Sequence, residues 1–156
     1  MRKLFAGLAA LLMLVVLAQF YFAASGAFST ASNDESFRPH RALGYVIFLL
    51  PVLMTIVAAL ARTPGRLIGM AALVAGLTAV QVVIAVFAKA FNDTGDTSTR
   101  AGQLVFGLHA INGLAIFSVA GNIARKARAQ SRTTATDRQA GAGNDVGVSE
   151  TAQPAS

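Results

Sequence analysis

The stretch Arg62-Thr63-Pro64-Gly65-Arg66 lies between two long apolar blocks, residues 42–61 and 67–90. Proline and glycine end helices and permit the chain to reverse, so this stretch predicts a tight turn. Each flanking block has roughly the 20 residues that an α-helix needs to cross the hydrocarbon core of a bilayer. The stretch therefore predicts two antiparallel membrane-spanning helices joined by a short turn.

Two further apolar blocks have the same character, residues 4–24 and 102–124. The connections over 25–38 and 91–101 are short, so the four helices are expected to be antiparallel neighbours. Arg2-Lys3 before the first block also resembles a signal peptide, but the apolar core is longer than the roughly 7–15 residues of a secretory core. We interpret it as a retained span, with cleavage as the alternative. The predicted fold is all-α, an integral membrane antiparallel four-helix bundle.

Composition supports a membrane protein and excludes several kinds of site. The chain has 156 residues, 54% hydrophobic and 13% charged, whereas soluble domains are usually about a quarter charged. It contains no cysteine, which excludes disulfides, thiol catalysis and iron–sulfur clusters. The net charge of +6 raises the question of nucleic acid. Because the charges flank the apolar blocks and fill the tail, we interpret them as topology signals and expect the lipid bilayer, not nucleic acid, as partner.

The distribution of lysine and arginine predicts the orientation. With the N-terminus inside, nine basic residues fall on the cytoplasmic side and four on the other side. Cytoplasmic loops carry an excess of such residues. We therefore expect a multi-pass protein of the cell membrane with both termini in the cytoplasm.

The chain is expected to divide into a four-span membrane domain over residues 1–128 and a tail over 129–156. The tail is rich in small and polar residues and has almost no large apolar ones. Such a composition cannot bury enough surface to fold alone. We therefore predict a disordered cytoplasmic tail.

Two stretches of the second and fourth blocks run in parallel, residues 40–48 (HRALGYVIF) and 109–117 (HAINGLAIF). They contain both histidines of the chain, His40 and His109, each followed four residues later by a glycine. Gln19 and Gln81 are isolated amides in the first and third blocks. This pattern suggests a doubled helical hairpin, whose halves are related by an axis along the membrane normal. The two histidines would then face each other at equal depth near the outer surface.

Simple counting disagrees with equal depth. From His40 to Arg62 there are 22 residues, and from His109 to Arg125 there are 16, a difference of roughly 9 Å along a helix. The gap closes if the fourth helix continues past Arg125, or if Pro51 bends the second helix.

Two opposed imidazoles predict a b-type haem held between His40 and His109, which would be its iron ligands. Electron transfer or redox sensing would follow, with a redox partner that the sequence does not identify. A glycine one turn along the same face leaves room for a flat macrocycle. The other residues expected to contact the haem are Gly44, Gly113, Asn112 as a hydrogen-bond donor, and Arg38 and Arg41, with Arg100 less directly, as partners of the propionates.

The alternative is a non-enzymatic structural or partner-binding membrane protein in which the histidines only pack. His40 follows Pro39 at a helix start, where a polar interfacial residue is common. Glycines pack helices closely in membranes, and isolated amides join helices by hydrogen bonds. A proton or solute carrier is less favoured, because no predicted span contains Asp or Glu.

Three segments resemble an uncharacterised family of small four-span actinobacterial membrane proteins, catalogued as a domain of unknown function. They are residues 2–6 (RKLFA), 37–45 (FRPHRALGY) and 108–115 (LHAINGLA). The resemblance covers about residues 1–128 and implies the four-span fold and a membrane location, without an established activity. The paired histidines are also distantly similar to those of b-type cytochromes and of one half of haem A synthase.

Overall fold

The computed structural model describes residues 2–91 and 99–149, with side chains for 3–91 and 99–132. The acids Asp93 and Asp96, in the connection between the third and fourth predicted spans, lie outside the described residues. In the described part the chain is helical, with short turns between helices. The helices are α1 (Arg2–Ala27), α2 (Asn33–Ser36), α3 (Arg38–Leu60), α4 (Gly65–Ala90) and α5 (Arg100–Ser149).

Four of these helices are long and apolar enough to cross a membrane, over Lys3–Ala27, Arg38–Leu60, Gly65–Ala90 and Arg100–Arg132. They pack as a closed ring in which α1 and α4 each contact both α3 and α5. Within the described residues, the backbone of α1 does not come into contact with that of α4, nor the backbone of α3 with that of α5. The bundle therefore has two diagonals, α1–α4 and α3–α5, as expected for an antiparallel four-helix bundle. These features confirm the predicted fold class.

The turn between α3 and α4 begins with Arg62, which has a φ of 50°. Its backbone N–H donates to Ala59 O and that of Thr63 donates to Ala58 O. This is the Schellman arrangement, which usually places glycine at the left-handed position. Pro64 follows directly and cannot continue the helix. The predicted reversal over residues 62–66 is confirmed.

The connection between α1 and α3 is closed by the single turn α2. Ser32 Oγ accepts from the backbone N–H of Glu35 at 3.4 Å and caps this turn. Phe37 lies against Gly26 at the end of α1, since a Cβ added at Gly26 would be 2.9 Å from Phe37 Cδ1. This contact brings the start of α3 close to the end of α1.

The buried faces of α1 and α4 repeat with a constant offset of 62 residues. Buried residues of both helices occur at equivalent positions. The pairs are Phe5 and Leu67, Ala9 and Ala71, Leu12 and Val74, and Val16 and Thr78. The next equivalent pair is Gln19 and Gln81, so the two glutamines stand at the same place on their helices. The doubling is thus visible in burial even where residue identity is lost.

The buried faces of α3 and α5 repeat in the same way with an offset of 69 residues. The equivalent buried pairs are Ile47 and Ile116, Pro51 and Ala120, Met54 and Ile123, and Ala58 and Ala127. The same offset joins His40 to His109. Because each histidine stands at the same distance from these buried positions on its helix, the structure indicates equal depth.

The discrepancy in the residue counts is resolved by the length of α5. This helix continues past Arg125, and Ala127 is only 2% exposed in the bundle core. Arg62 follows the end of the core-facing segment of α3. On α5 the core-facing segment does not end at Arg125, because Ala127 beyond it is still buried. The first of the two explanations from the sequence is the one observed, and the apolar helical segment Arg100–Arg132 is longer than the predicted span 102–124.

The backbone of α5 is helical as far as Ser149, whereas the sequence predicts disorder after residue 128. Side chains after Arg132, and residues 150–156 altogether, lie outside the described residues. The division into a domain over 1–128 and a disordered tail over 129–156 stays a prediction.

Candidate functional site

Four polar side chains meet near the end of the bundle that carries the α1–α3 connection, one from each long helix: Gln19, His40, Gln81 and His109. We call them the His–Gln layer. The two histidines occupy one diagonal and the two glutamines the other. The imidazole ring centres are 6.1 Å apart, with 45° between the ring planes. All four residues are half-buried, so the layer lies inside a helix bundle that is otherwise apolar.

Gln19 contacts both ring nitrogens of His40. His40 Nδ1 is 3.2 Å from the backbone oxygen of Gln19, which can only accept, so Nδ1 donates. The Gln19 side-chain amide, Nε2, is 3.3 Å from His40 Nε2 and donates to its lone pair. These bonds select the imidazole tautomer with the proton on Nδ1.

The second half of the layer, Gln81 and His109, forms different hydrogen bonds. Asn112 Nδ2 donates to Gln81 Oε1 and to Leu77 O, both at 2.8 Å. Asn112 therefore holds the Gln81 side chain, and the repeat-equivalent position of α3 is Leu43, which cannot do so. His109 Nδ1 is buried without a hydrogen-bond partner among the described residues. The first half thus bonds both ring nitrogens of its histidine. In the described part of the chain His109 Nδ1 forms no hydrogen bond of ordinary geometry, although the ring lies close enough to the Gln81 backbone to interact with it.

An aromatic ring accompanies each histidine at the same offset. Phe106 stacks on His109 with ring centres 5.2 Å apart and 2° between planes. Phe37 meets His40 edge to face at 6.1 Å. Sequence reasoning missed this pair, although Phe37 and Phe106 stand three residues before the two histidines and were available as a signal.

The two glycines of the motif lie beside the glutamine amides. A Cβ added at Gly44 would be 3.8 Å from Gln19 Nε2, and one at Gly113 would be 3.5 Å from Gln81 Nε2. The space that each glycine leaves is therefore adjacent to the amide of the equivalent glutamine. Their predicted contact with a macrocycle stays a prediction.

The predicted arginines lie at the same end of the bundle as the His–Gln layer. Arg41 forms an ion pair with Asp34, at 3.4 Å between Nη2 and Oδ1, and also donates to the Asp34 backbone oxygen. Arg38 and Arg100 are exposed. Arg41 is thus engaged with the α2 turn, and the predicted pairing of Arg38, Arg41 and Arg100 with propionates stays a prediction.

The two histidines are the strongest metal ligands in the layer. In the part of the chain that the structure describes, no group of three or more His, Cys, Asp or Glu side chains comes together to hold a bare metal ion. A site built by these residues would thus rest on two imidazoles, which is the ligand number of a haem with two axial histidines.

Comparisons with known proteins show a similarity to a family and give no activity. No curated protein matches the chain, and no solved structure matches it. A match to a family model contains Gln19, His40 and Gln81 and ends before His109. Residues 19–89 are similar to a family of unknown function (DUF6220).

Proposed function

We propose that this multi-pass membrane protein binds one b-type haem between His40 and His109 and serves electron transfer or redox sensing. The observation that carries the proposal is the spacing of the imidazoles across the bundle centre. Two metal–imidazole bonds of about 2 Å, with about 1 Å from each nitrogen to its ring centre, separate the centres by roughly 6 Å. The ring centres are 6.1 Å apart.

The hydrogen bonding of His40 also supports the proposal. Ligating histidines usually donate their second ring N–H to a carbonyl or carboxylate, which fixes the tautomer and raises ligand basicity. Nδ1 of His40 donates to Gln19 O, so Nε2 is the nitrogen available to iron. The Gln19 amide now contacts Nε2 and would rotate away on binding.

His109 is also suited to be an iron ligand. It lies within a span, where ionisable residues are rare and usually functional. Its Nδ1 is buried and unpaired among the described residues. Such a group is costly to bury unless a further partner is present. Phe106, stacked on the ring, restricts its orientation.

When bound, a haem supplies one-electron redox chemistry, and the protein tunes its potential. The contribution of this chain would be to hold two imidazoles at fixed spacing and keep water from the apolar bundle. The orientation of the protein in the membrane is also part of this proposal. Nine basic residues against four support cytoplasmic termini in the cell membrane, and with this orientation the site would lie near the outer face.

The test is an absorption measurement on protein expressed with ample haem and purified in detergent. A reduced-minus-oxidised spectrum should show a Soret band, and His40→Ala and His109→Ala should each remove or shift it. Added imidazole should restore the band in either variant, because it can occupy the vacated coordination position.

A Phe117→Leu variant is the control. Phe117 lies on the same helix as His109 but outside the His–Gln layer, so this variant should retain the band. Monodispersity on gel filtration shows that each variant folds. A wild-type protein without a Soret band would exclude the haem, and a band left unchanged by His109→Ala would exclude His109 as an iron ligand and so overturn the proposed site.

A second candidate function is a structural or partner-binding role in which the layer only joins helices. The observation in its favour is that Gln19 satisfies both nitrogens of His40 within the protein. It predicts no chromophore, a stability loss of about 1 kcal/mol for His40→Ala, and a smaller loss for His109→Ala.

A further inference from the structure

A cavity of about 270 Å³ opens at the end of the bundle opposite the His–Gln layer. It lies between the start of α4 and the part of α5 beyond Arg125. Its lining combines two cations with apolar and amide groups: Pro64, Arg66, Leu67, Lys126, Ala129 and Gln130. It does not involve the residues of the proposed haem site.

Among the side chains that the structure describes, the two cations of this cavity have no acidic partner. Among the described residues, the ion pair found is Arg41–Asp34, at the other end of the bundle. Lys126 is half-buried, beside the buried side chain of Leu67. A partly buried ammonium without a counter-charge favours an anion from outside the chain.

The surroundings add positive potential. Seven basic residues with described side chains lie at this end, at the starts of α1 and α4, in the α3–α4 turn and on α5: Lys3, Arg62, Arg66, Arg125, Lys126, Arg128 and Arg132. The described acids, Asp34 and Glu35, are both at the opposite end. Pro64 gives the first turn of α4 no side-chain cap. The uncapped first amides and the helix dipole therefore also favour an anion.

We propose that this cavity binds a phosphate group between Arg66 and Lys126. Arginine and lysine make charge-assisted hydrogen bonds to phosphate oxygens. Leu67 and Pro64 offer apolar contact beside the charged groups, and the cavity lies at the end of the spans, where lipid headgroups are found. The phosphate belongs either to an anionic phospholipid or to a small soluble phosphate compound.

The experiment is native mass spectrometry of the full chain in detergent, titrated with phosphatidylglycerol or phosphatidylcholine. The wild type should retain the anionic lipid more tightly. Arg66→Gln and Lys126→Gln should each weaken this binding roughly fivefold, and the double variant roughly thirtyfold. Arg125→Gln is the matched control, because it removes the same charge at the same end, outside the cavity lining, and should change binding less than twofold.

A second experiment distinguishes a phospholipid headgroup from a soluble phosphate compound. Inorganic phosphate is added to delipidated protein and the thermal unfolding temperature is measured. Binding of phosphatidylglycerol without stabilisation by phosphate identifies a lipid headgroup, whereas stabilisation that is lost in the double variant identifies a soluble phosphate. The proposal is overturned if neither ligand binds, if phosphatidylcholine binds equally well, or if Arg125→Gln weakens binding as much as Lys126→Gln.

Discussion

The imidazoles of His40 and His109 have ring centres 6.1 Å apart, although 69 positions of sequence separate the two residues. The backbones of their helices, α3 and α5, do not come into contact in the described part of the chain, and each helix is held by α1 and α4. The rings therefore meet across the centre of the bundle, and their relative position depends on all four long helices.

The glycines beside the layer allow haem binding to be separated from stability. In Gly44→Ala and Gly113→Ala the added Cβ would lie 3.8 and 3.5 Å from the nearest atom, an ordinary van der Waals contact. We expect the stability of protein without haem to change by less than about 0.5 kcal/mol, while haem content falls. Haem per chain and melting temperature are the two readouts. Unchanged haem content in both variants would show that the glycines leave no room needed by the macrocycle.

Asn112 should stabilise the second half of the layer. Asn112→Leu, which introduces the residue found at the equivalent position Leu43, removes the bonds to Gln81 and Leu77. We expect a loss of about 1 kcal/mol, since interhelical hydrogen bonds in membranes contribute modestly. Thermal unfolding in detergent measures it. Asn122→Ala is the control, because its amide bonds within its own helix, and an equal loss there would contradict the assignment.

Gly26 should be required at the end of α1. A Cβ at this position would approach Phe37 Cδ1 and the Ser36 backbone oxygen to 2.9 Å. We expect Gly26→Ala to lower stability by about 1–3 kcal/mol, because the backbone on the opposing side cannot yield easily. Gly76→Ala serves as the comparison, since an added Cβ there meets nothing within 4 Å. If both variants melt at the wild-type temperature, the close approach of α1 to Phe37 does not exist.

The doubled hairpin predicts matched effects at equivalent core positions. Ala58 and Ala127 are 0% and 2% exposed, so Ala58→Leu and Ala127→Leu should each overpack the core and cost about 1–3 kcal/mol. Ala59→Leu, on an exposed face of the same helix as Ala58, should cost little. Melting temperatures in one detergent give the comparison. A large effect at Ala58 with none at Ala127 would contradict the burial of α5 beyond Arg125.

The pairing of the histidines was accessible to sequence reasoning because two rare residues aligned with their glycines. The glutamine pair was weaker evidence, since Gln19 and Gln81 share few neighbours of the same identity. The buried positions of α1 and α4 match at a constant offset of 62 residues, and this match supports the pairing of the two glutamines. Apolar side chains are interchangeable within a core, so a repeat can persist in packing after identity has been lost.

The sequence by itself determined the number of spans, the reversal at residues 62–66 and the presence of two matched histidines. These depend on the length of apolar blocks and on local turn chemistry, which each segment carries alone. Only the tertiary structure decided that α5 buries residues beyond Arg125, that Gln19 bonds His40, and that Asn112 holds Gln81. Those features depend on how each helix is rotated toward its neighbours, which no single segment specifies.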